Sequence, residues 1–334
     1  MSSFVGAPFT AAPYIGALGP ESSSLVIWRV RLELEAAETI RLPEFDGSLV
    51  RGALGAALRQ VSCTTGAPTC AGCPEIPVCP YGYGFETPVP EDSPDRALGP
   101  FVPHPFALGV EAADTLAPGD RFALELALVG RGRFHLASFV EAVRWLSRRG
   151  LAGGRGRFAL SRVDDLAPAG PRAVLLPEHP VFLAEPTDWT LETLARTAPA
   201  RLTLFTRSPL RLLAKGKPVE DLDLPALLRA LFRRIGALAR YHCGFEPQVD
   251  YRALLERAAE VRVVERRLVW RELARYSHRQ KRRMVLGGLE GSLAFEGDLA
   301  PFLPWLALGE LVQVGKGTSF GLGRYRLEDA KLTP

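Results

Sequence analysis

A chain of 334 residues, 47% hydrophobic and 23% charged, has room for two domains with separate cores and the composition of an ordinary soluble globular protein. The net charge of +4 is too small to argue a polyanion partner from the total. No apolar run reaches the ~18 residues that span a bilayer, and the first basic residue is Arg29, so neither a membrane anchor nor a signal peptide is expected and the expected location is cytoplasmic.

In chain order, Leu25 to Leu34 alternates as a strand does, and Gly47 to Val61 has helical spacing. Strands follow near Phe106 to Glu111 and over Arg121 to Val129. A helix over Leu136 to Arg149 and a strand over Arg157 to Val163 close the first half. After the proline-containing stretch Pro168 to Pro199, Ala200 to Leu213 reads as a strand and Leu224 to Tyr241 as an amphipathic helix, with further helical spacing over Tyr251 to Glu260. Val261 to Arg271 and Val285 to Phe295 read as a hairpin. A short helix near Phe302 to Val312, a glycine-rich loop and a last strand complete the chain.

Each half therefore reads strand-helix-strand-strand-helix-strand, the ferredoxin-like order also used by RNA-recognition motifs. The second halves of the two units also match locally. Gly154-Arg155-Gly156-Arg157-Phe158 corresponds to Gly321-Leu322-Gly323-Arg324-Tyr325, each after a helix and before a strand. The expected fold class is α+β: two tandem ferredoxin-like (RRM-like, βαββαβ) domains, with a four-cysteine metal-binding insertion in the first and a glycine-rich loop near the C-terminus. The expected domains are residues 1–167 with the insertion at 63–79, a linker over 168–199, and residues 200–334 with the loop at 315–323.

Four of the five cysteines, Cys63, Cys70, Cys73 and Cys79, are spaced C-x6-C-x2-C-x5-C. In a cytosolic chain such a cluster points to a metal before disulfides. Structural zinc, an iron-sulfur cluster and free thiols are the readings, in that order. Four thiolates leave no open coordination position, so the ion would staple a loop, not catalyse. Cys243 reads as a core residue.

The glycine loop is not a nucleotide site. Phosphate-binding glycine loops lie between a strand and the helix it feeds, whereas this one follows a helix and precedes a strand. Lys316 is followed by Gly317 where a Walker A loop needs Ser or Thr, and Phe320 stands where a dinucleotide fingerprint needs glycine. Two readings remain. Gly315, Lys316, Gly317, Thr318, Ser319, Phe320, Gly321 and Gly323 form an RNA contact through backbone amides, Lys316 and a stacking Phe320, or they form a tight helix-to-strand connection. The run "RYSHRQKRR", Arg275 to Arg283, lies where the second hairpin turns and contains no acid. Its Arg275, Arg279, Lys281, Arg282 and Arg283 are candidate phosphate contacts along RNA. Of the 41 basic residues 36 are arginine, which suits phosphate and base recognition, although a high-GC genome also enriches it.

The stretches "LGELVQVGKGTSFGLGRYRLE" and "WRELARYSHRQKRRMVLGGLEGSLAF" resemble the C-terminal domain of the CRISPR-associated endoribonucleases that cut precursor CRISPR RNA at each repeat, members of the RAMP superfamily. "FDGSLVRGALGAALRQVSC" resembles their N-terminal region. The resemblance implies CRISPR repeat RNA as partner, a loop that contacts it, and cleavage without a catalytic metal, leaving 5′-hydroxyl and 2′,3′-cyclic phosphate ends. It also admits other CRISPR effector subunits as partners, and a non-catalytic RNA-binding subunit as the alternative function.

Metal-free cleavage asks for proton transfer and a cation near the phosphate. Relatives often carry a histidine in or near the first helix, but "LVRGALGAALR" has none. His278, inside the basic hairpin, is the candidate imidazole, with Tyr276 beside it, and Arg51 and Lys316 are candidate phosphate stabilisers. His104, His135, His179 and His242 read as structural.

Overall fold

The structure, a computed structural model, describes residues 25–90, 93, 101–151, 154–176, 187–190, 193–194, 197–277 and 282–329. The first half runs β1 (Ile27–Ala36), β2 (Ile40–Arg41), α1 (Asp46–Ser62), β3 (Phe106–Glu111), β4 (Thr115–Leu116), β5 (Arg121–Val129), α2 (Leu136–Arg149), β6 (Phe158–Ala167) and β7 (Gly170–Leu175). The short strands β2 and β4 pair with each other. The rest form one antiparallel sheet in the order β3-β5-β1-β6-β7. The second half runs β8 (Arg201–Thr206), β9 (Leu213–Ala214), β10 (Lys217–Pro218), α3 (Leu224–Leu238), α4 (Tyr251–Ala258), β11 (Arg262–Ser277), β12 (Arg282–Glu296), α5 (Leu303–Val312) and β13 (Tyr325–Asp329). Its main sheet is antiparallel in the order β11-β12-β8-β13.

Leaving out the edge strand β7 and the short ribbons, each half is a βαββαβ unit with sheet order second-third-first-fourth, the ferredoxin-like arrangement. The alternation of β1 produces it: Val30, Leu32 and Leu34 are buried under α1 and α2, while Arg31, Glu33 and Glu35 between them are not. In the second half, Asp223 starts α3 by accepting a hydrogen bond from the Ala226 amide at 2.7 Å, with Pro225 in the first turn. The Leu227, Leu228, Leu231 and Ile235 face of α3 then packs on Leu202 and Leu204 of β8. That core also takes in Ile27, Ala107, Ala127 and Val129 from the first sheet, so the two units share apolar surface.

The internal repeat is visible in backbone geometry. Gly154 and Gly156, and Gly321 and Gly323, all have φ between 77° and 91°, and each pair stands just before the final strand of its unit. A side chain is strained there. The arginines that follow differ: Arg157 binds Glu38 within its own unit at 3.0 Å, whereas Arg324 reaches Glu111 at 3.2 Å and Glu125 at 3.3 Å in the other.

Three elements depart from the periodicity. The strand expected to run from Ala200 to Leu213 ends at Thr206: the amides of Arg207 and Ser208 both turn to the Arg324 carbonyl, Pro209 has no amide to offer, and beyond it Leu210 bridges to Leu289 and Leu213 enters β9. The hairpin is longer than its apolar pattern, pairing out to Ser277↔Arg282. Gly170–Leu175, within the stretch read as a linker, forms β7 on the edge of the first sheet. Beyond it, Trp189 exchanges backbone hydrogen bonds with Ile27 of β1.

Candidate active site

Arg51 projects from the second turn of α1 with Gly47 and Gly55 at i−4 and i+4 on the same face. A Cβ at Gly47 would lie 2.0 Å from the Phe320 carbonyl oxygen, and one at Gly55 would lie 2.9 Å from the Phe85 ring. The two missing side chains let the glycine loop and Phe85 close on the helix from either side of Arg51. Its guanidinium carbon sits 4.4 Å from the Phe320 ring centroid and 5.2 Å from that of Phe85, cation–π contacts of about 0.5–2 kcal/mol each. Arg51 Nε donates to Ser319 Oγ at 3.2 Å, and Nη2 lies 3.3 Å from His104 Nε2.

The glycine loop is closed, not open. Gly315, Gly317, Gly321 and Gly323 all have φ near +80° to +87°. The amide of Lys316 donates to Arg211, Phe320 and Leu322 to Gly317, Gly321 to Thr318, and Gly323 to Pro209. A compact turn thus accounts for the glycines, and five amides are engaged inside the protein. What the loop offers outward is side chain: Lys316 is exposed and Phe320 half-buried, while Thr318 and Ser319 are buried.

The β11–β12 ribbon meets the same place. Leu273 and Leu286 pack with Phe45, Phe320 and Leu322, and Arg271 pairs with Glu44 at 3.1 Å. Arg275, Tyr276, Arg282 and Arg283 continue the paired strands, with Tyr276 opposite Arg283. At ~3.4 Å per residue, Ser277 stands roughly 14 Å farther along the ribbon than Leu273. His278, Arg279 and Lys281 lie outside the described residues, as does His179.

The three described histidines are held internally. His242 donates from Nε2 to the Pro103 carbonyl at 2.7 Å and accepts at Nδ1 from the Tyr83 hydroxyl at 2.8 Å, joining the two halves. Burial pushes its pKa down to about 4, and that of His135 likewise. His104 is lowered to about 3, by burial first and by Arg51 beside it. Periodicity gives no sign that His104 stands next to Arg51, because the pair is 53 residues apart in sequence.

Cys63, Cys70, Cys73 and Cys79 line one small pocket with Arg59, Thr65, Glu75 and Tyr81. Hydrogen bonding from Thr65 lowers the Cys63 pKa, and burial raises that of Cys70. The donor set suits a soft ion, but among the described residues no three His, Cys, Asp or Glu side chains are gathered closely enough to hold a metal. The loop is tied to the Arg51 site: Tyr83 N donates to Cys79 O, and the turn Gly82–Glu86 that follows carries Phe85.

No curated protein sequence matches the chain significantly. Residues 25–187 match the family described as the AF_1859 N-terminal domain, and residues 204–325 match the CRISPR-associated endoribonuclease Cas6 family. In fold, a Thermus thermophilus Cas6 is similar over 92% of this chain and 100% of its own, at 18% identity and a TM-score of 0.53. A Cas6 product complex is similar over 91% and 99%, at 23% identity and 0.50. A chain of a partial Cas6-RT-Cas1–Cas2 complex is similar over 93% of this chain and 47% of its own, at 15% identity and 0.55. The double ferredoxin-like fold is thus that of the Cas6 structures, and residues 204–325 carry the match to the CRISPR-associated endoribonuclease Cas6 family.

Proposed function

We propose that the chain binds CRISPR repeat RNA across the Arg51 site and the β11–β12 ribbon and cuts precursor CRISPR RNA once per repeat. Attack by a ribose 2′-hydroxyl, with no metal in the reaction, leaves 5′-hydroxyl and 2′,3′-cyclic phosphate ends. The match of residues 204–325 to the Cas6 endoribonuclease family supports the RNA-cleaving role. The observation that carries the residue-level reading is the convergence of α1, the glycine loop and the ribbon base around Arg51.

The nucleophile belongs to the RNA, so the protein supplies in-line geometry, charge and proton transfer. Arg51 meets the scissile phosphate, and Lys316, exposed on the same glycine loop that Arg51 contacts through Ser319 and Phe320, adds a second cation. Arg275, Arg279, Lys281, Arg282 and Arg283 hold flanking phosphates. The described histidines are neutral near pH 7 and hydrogen-bonded within the protein or, for His135, packed near Tyr83. His278, with Tyr276 near it, therefore keeps the proton-transfer role that its basic surroundings give it. Residues 1–167, with β7 of the 168–199 stretch added to the edge of their sheet, and residues 200–334 act as the two domains. The protein works in the cytoplasm without a nucleotide cofactor. Its partners are repeat RNA and, as in the Cas6-RT-Cas1–Cas2 assembly, other CRISPR proteins.

Cys63, Cys70, Cys73 and Cys79 line one pocket; a structural ion there, zinc before an iron-sulfur cluster, would require the loop to draw the four thiols together, since as placed no three of them are gathered closely enough to hold it. Replacing Cys70 and Cys73 with Ser is expected to release one equivalent of metal, lower solubility and loosen Phe85 against Arg51. Elemental analysis of purified parent protein that finds neither zinc nor iron would remove the metal from the account. The function itself is tested by incubating the chain with labelled repeat RNA: one cut per repeat is expected, and tight binding with no cut would leave a non-catalytic RNA-binding subunit.

A further inference from the structure

His104 sits between Pro103 and Pro105, its ring stacked on Phe106 at 5.7 Å and 15°. Its two nitrogens have different neighbours. Nδ1 lies 2.9 Å from Thr87 Oγ1, and Nε2 lies 3.3 Å from Arg51 Nη2. The Thr87 hydroxyl donates its proton to the Val102 carbonyl at 3.2 Å, so its oxygen is left to accept. A guanidinium only donates. One tautomer satisfies every contact: a neutral imidazole protonated at Nδ1, which donates to Thr87 and accepts from Arg51 at Nε2.

The support beneath this contact is over-determined. Thr87 has φ +35°, a region that β-branched residues avoid. It is held there by its amide donating to Gly82 at 3.2 Å and its carbonyl accepting from Val102 at 3.1 Å. Strain of this kind persists where surrounding structure enforces it, and it concentrates at functional sites. Pro103, the neighbour of His104, is pinned from the other unit by His242 Nε2. The imidazole is thus anchored from both halves of the molecule, and its free direction points at Arg51.

We propose that His104 is the positioning residue of the site: as a neutral Nδ1–H imidazole backed by Thr87, it fixes the Arg51 guanidinium where that group meets the scissile phosphate. This rests on the reading of Arg51 as the phosphate contact. The charged and titratable groups acting on His104 are Arg51, Arg234 and His242; none is an acid, so nothing near it favours an imidazolium. His104 itself takes no proton during cleavage.

The test is a double-mutant cycle read by single-turnover cleavage, RNA affinity and thermal midpoint. His104→Leu is expected to slow cleavage by about 10²-fold, the scale of a misplaced catalytic group, with RNA affinity changed far less. His104→Gln, which offers an acceptor oxygen toward Arg51, should recover most of the rate. In an Arg51→Ala background His104→Leu should cost little, because the two residues act as one unit. Added guanidinium should restore Arg51→Ala in part while His104 is present, and fail to do so with His104→Leu. If His104→Leu is poorly folded, the Gln variant and the guanidinium rescue carry the test. Equal losses from His104→Leu with and without Arg51 would overturn the proposal. So would a titration step in the pH–rate profile that vanishes in His104→Gln, since His104 would then transfer the proton itself. A parent chain that binds RNA without cutting it sinks the proposed function instead. The cycle is then read on binding, where absence of coupling between His104 and Arg51 overturns the positioning role.

Discussion

Replacing the scissile nucleotide of the repeat with its 2′-deoxy form is expected to abolish cleavage while leaving most of the binding. In the proposed reaction the groups around Arg51 are its own guanidinium, the rings of Phe85 and Phe320, and Ser319 and His104, both already hydrogen-bonded to the guanidinium. The cysteine loop, if it carries an ion, offers four thiolates and so no open position for activating water. Such a site can stabilise negative charge and hold a bond in line, and the substrate must bring its own nucleophile. Removing one hydroxyl removes the nucleophile but none of the phosphates that Lys and Arg grip, so affinity and its salt dependence should persist. Comparing deoxy and ribo substrates under single-turnover conditions checks this. Continued cutting of the deoxy substrate would require a water nucleophile and a different site.

Arg51→Ala should be the most damaging single substitution at the phosphate. Removing one preorganised donor from a developing oxyanion costs about 10²–10³-fold in rate, and here the donor is also the filling of a sandwich. Phe320 on one side and Phe85 on the other lose their shared partner, and Ser319 and His104 lose theirs. The loop should survive, because its left-handed glycines and its internal amide bonds do not involve Arg51. The expected outcome is a folded protein with a near-parental thermal midpoint, weakened RNA binding and a large loss in the single-turnover rate. Arg51→Lys keeps the charge but not the fork that reaches Ser319 and His104 together, so it should recover only part of that loss. A variant that cuts like the parent would move the phosphate contact to Lys316 or to the ribbon.

Much of the fold is written in local periodicity. The alternation of β1, the helical spacing of α1 and α2 and the glycine pairs before β6 and β13 each follow from residues near one another in sequence. β7 is different: "GPRAVL" sits in proline-containing sequence, and its strand exists because β6 offers a free edge. The ribbon outruns its apolar pattern for a related reason, since two exposed strands pair through backbone and need no buried face. At the site, Arg51 and the glycine loop are legible from residue type, and their meeting is foreshadowed by glycines at i−4 and i+4 of Arg51. That the loop spends its amides inward is not legible, because Arg211 and Pro209 take two of those bonds from a distant segment. His104 and Thr87 escape sequence reasoning because their chemistry lies in partners brought from other segments, 17 residues away for one another and 53 for Arg51.

Cleavage of labelled repeat RNA by excess parent protein in EDTA, with the product ends identified, tests the central claim most directly. A single cut per repeat, undiminished by the chelator and leaving 5′-hydroxyl and 2′,3′-cyclic phosphate ends, is the predicted result. Strict dependence on added magnesium, or products carrying a 5′-phosphate, would contradict it.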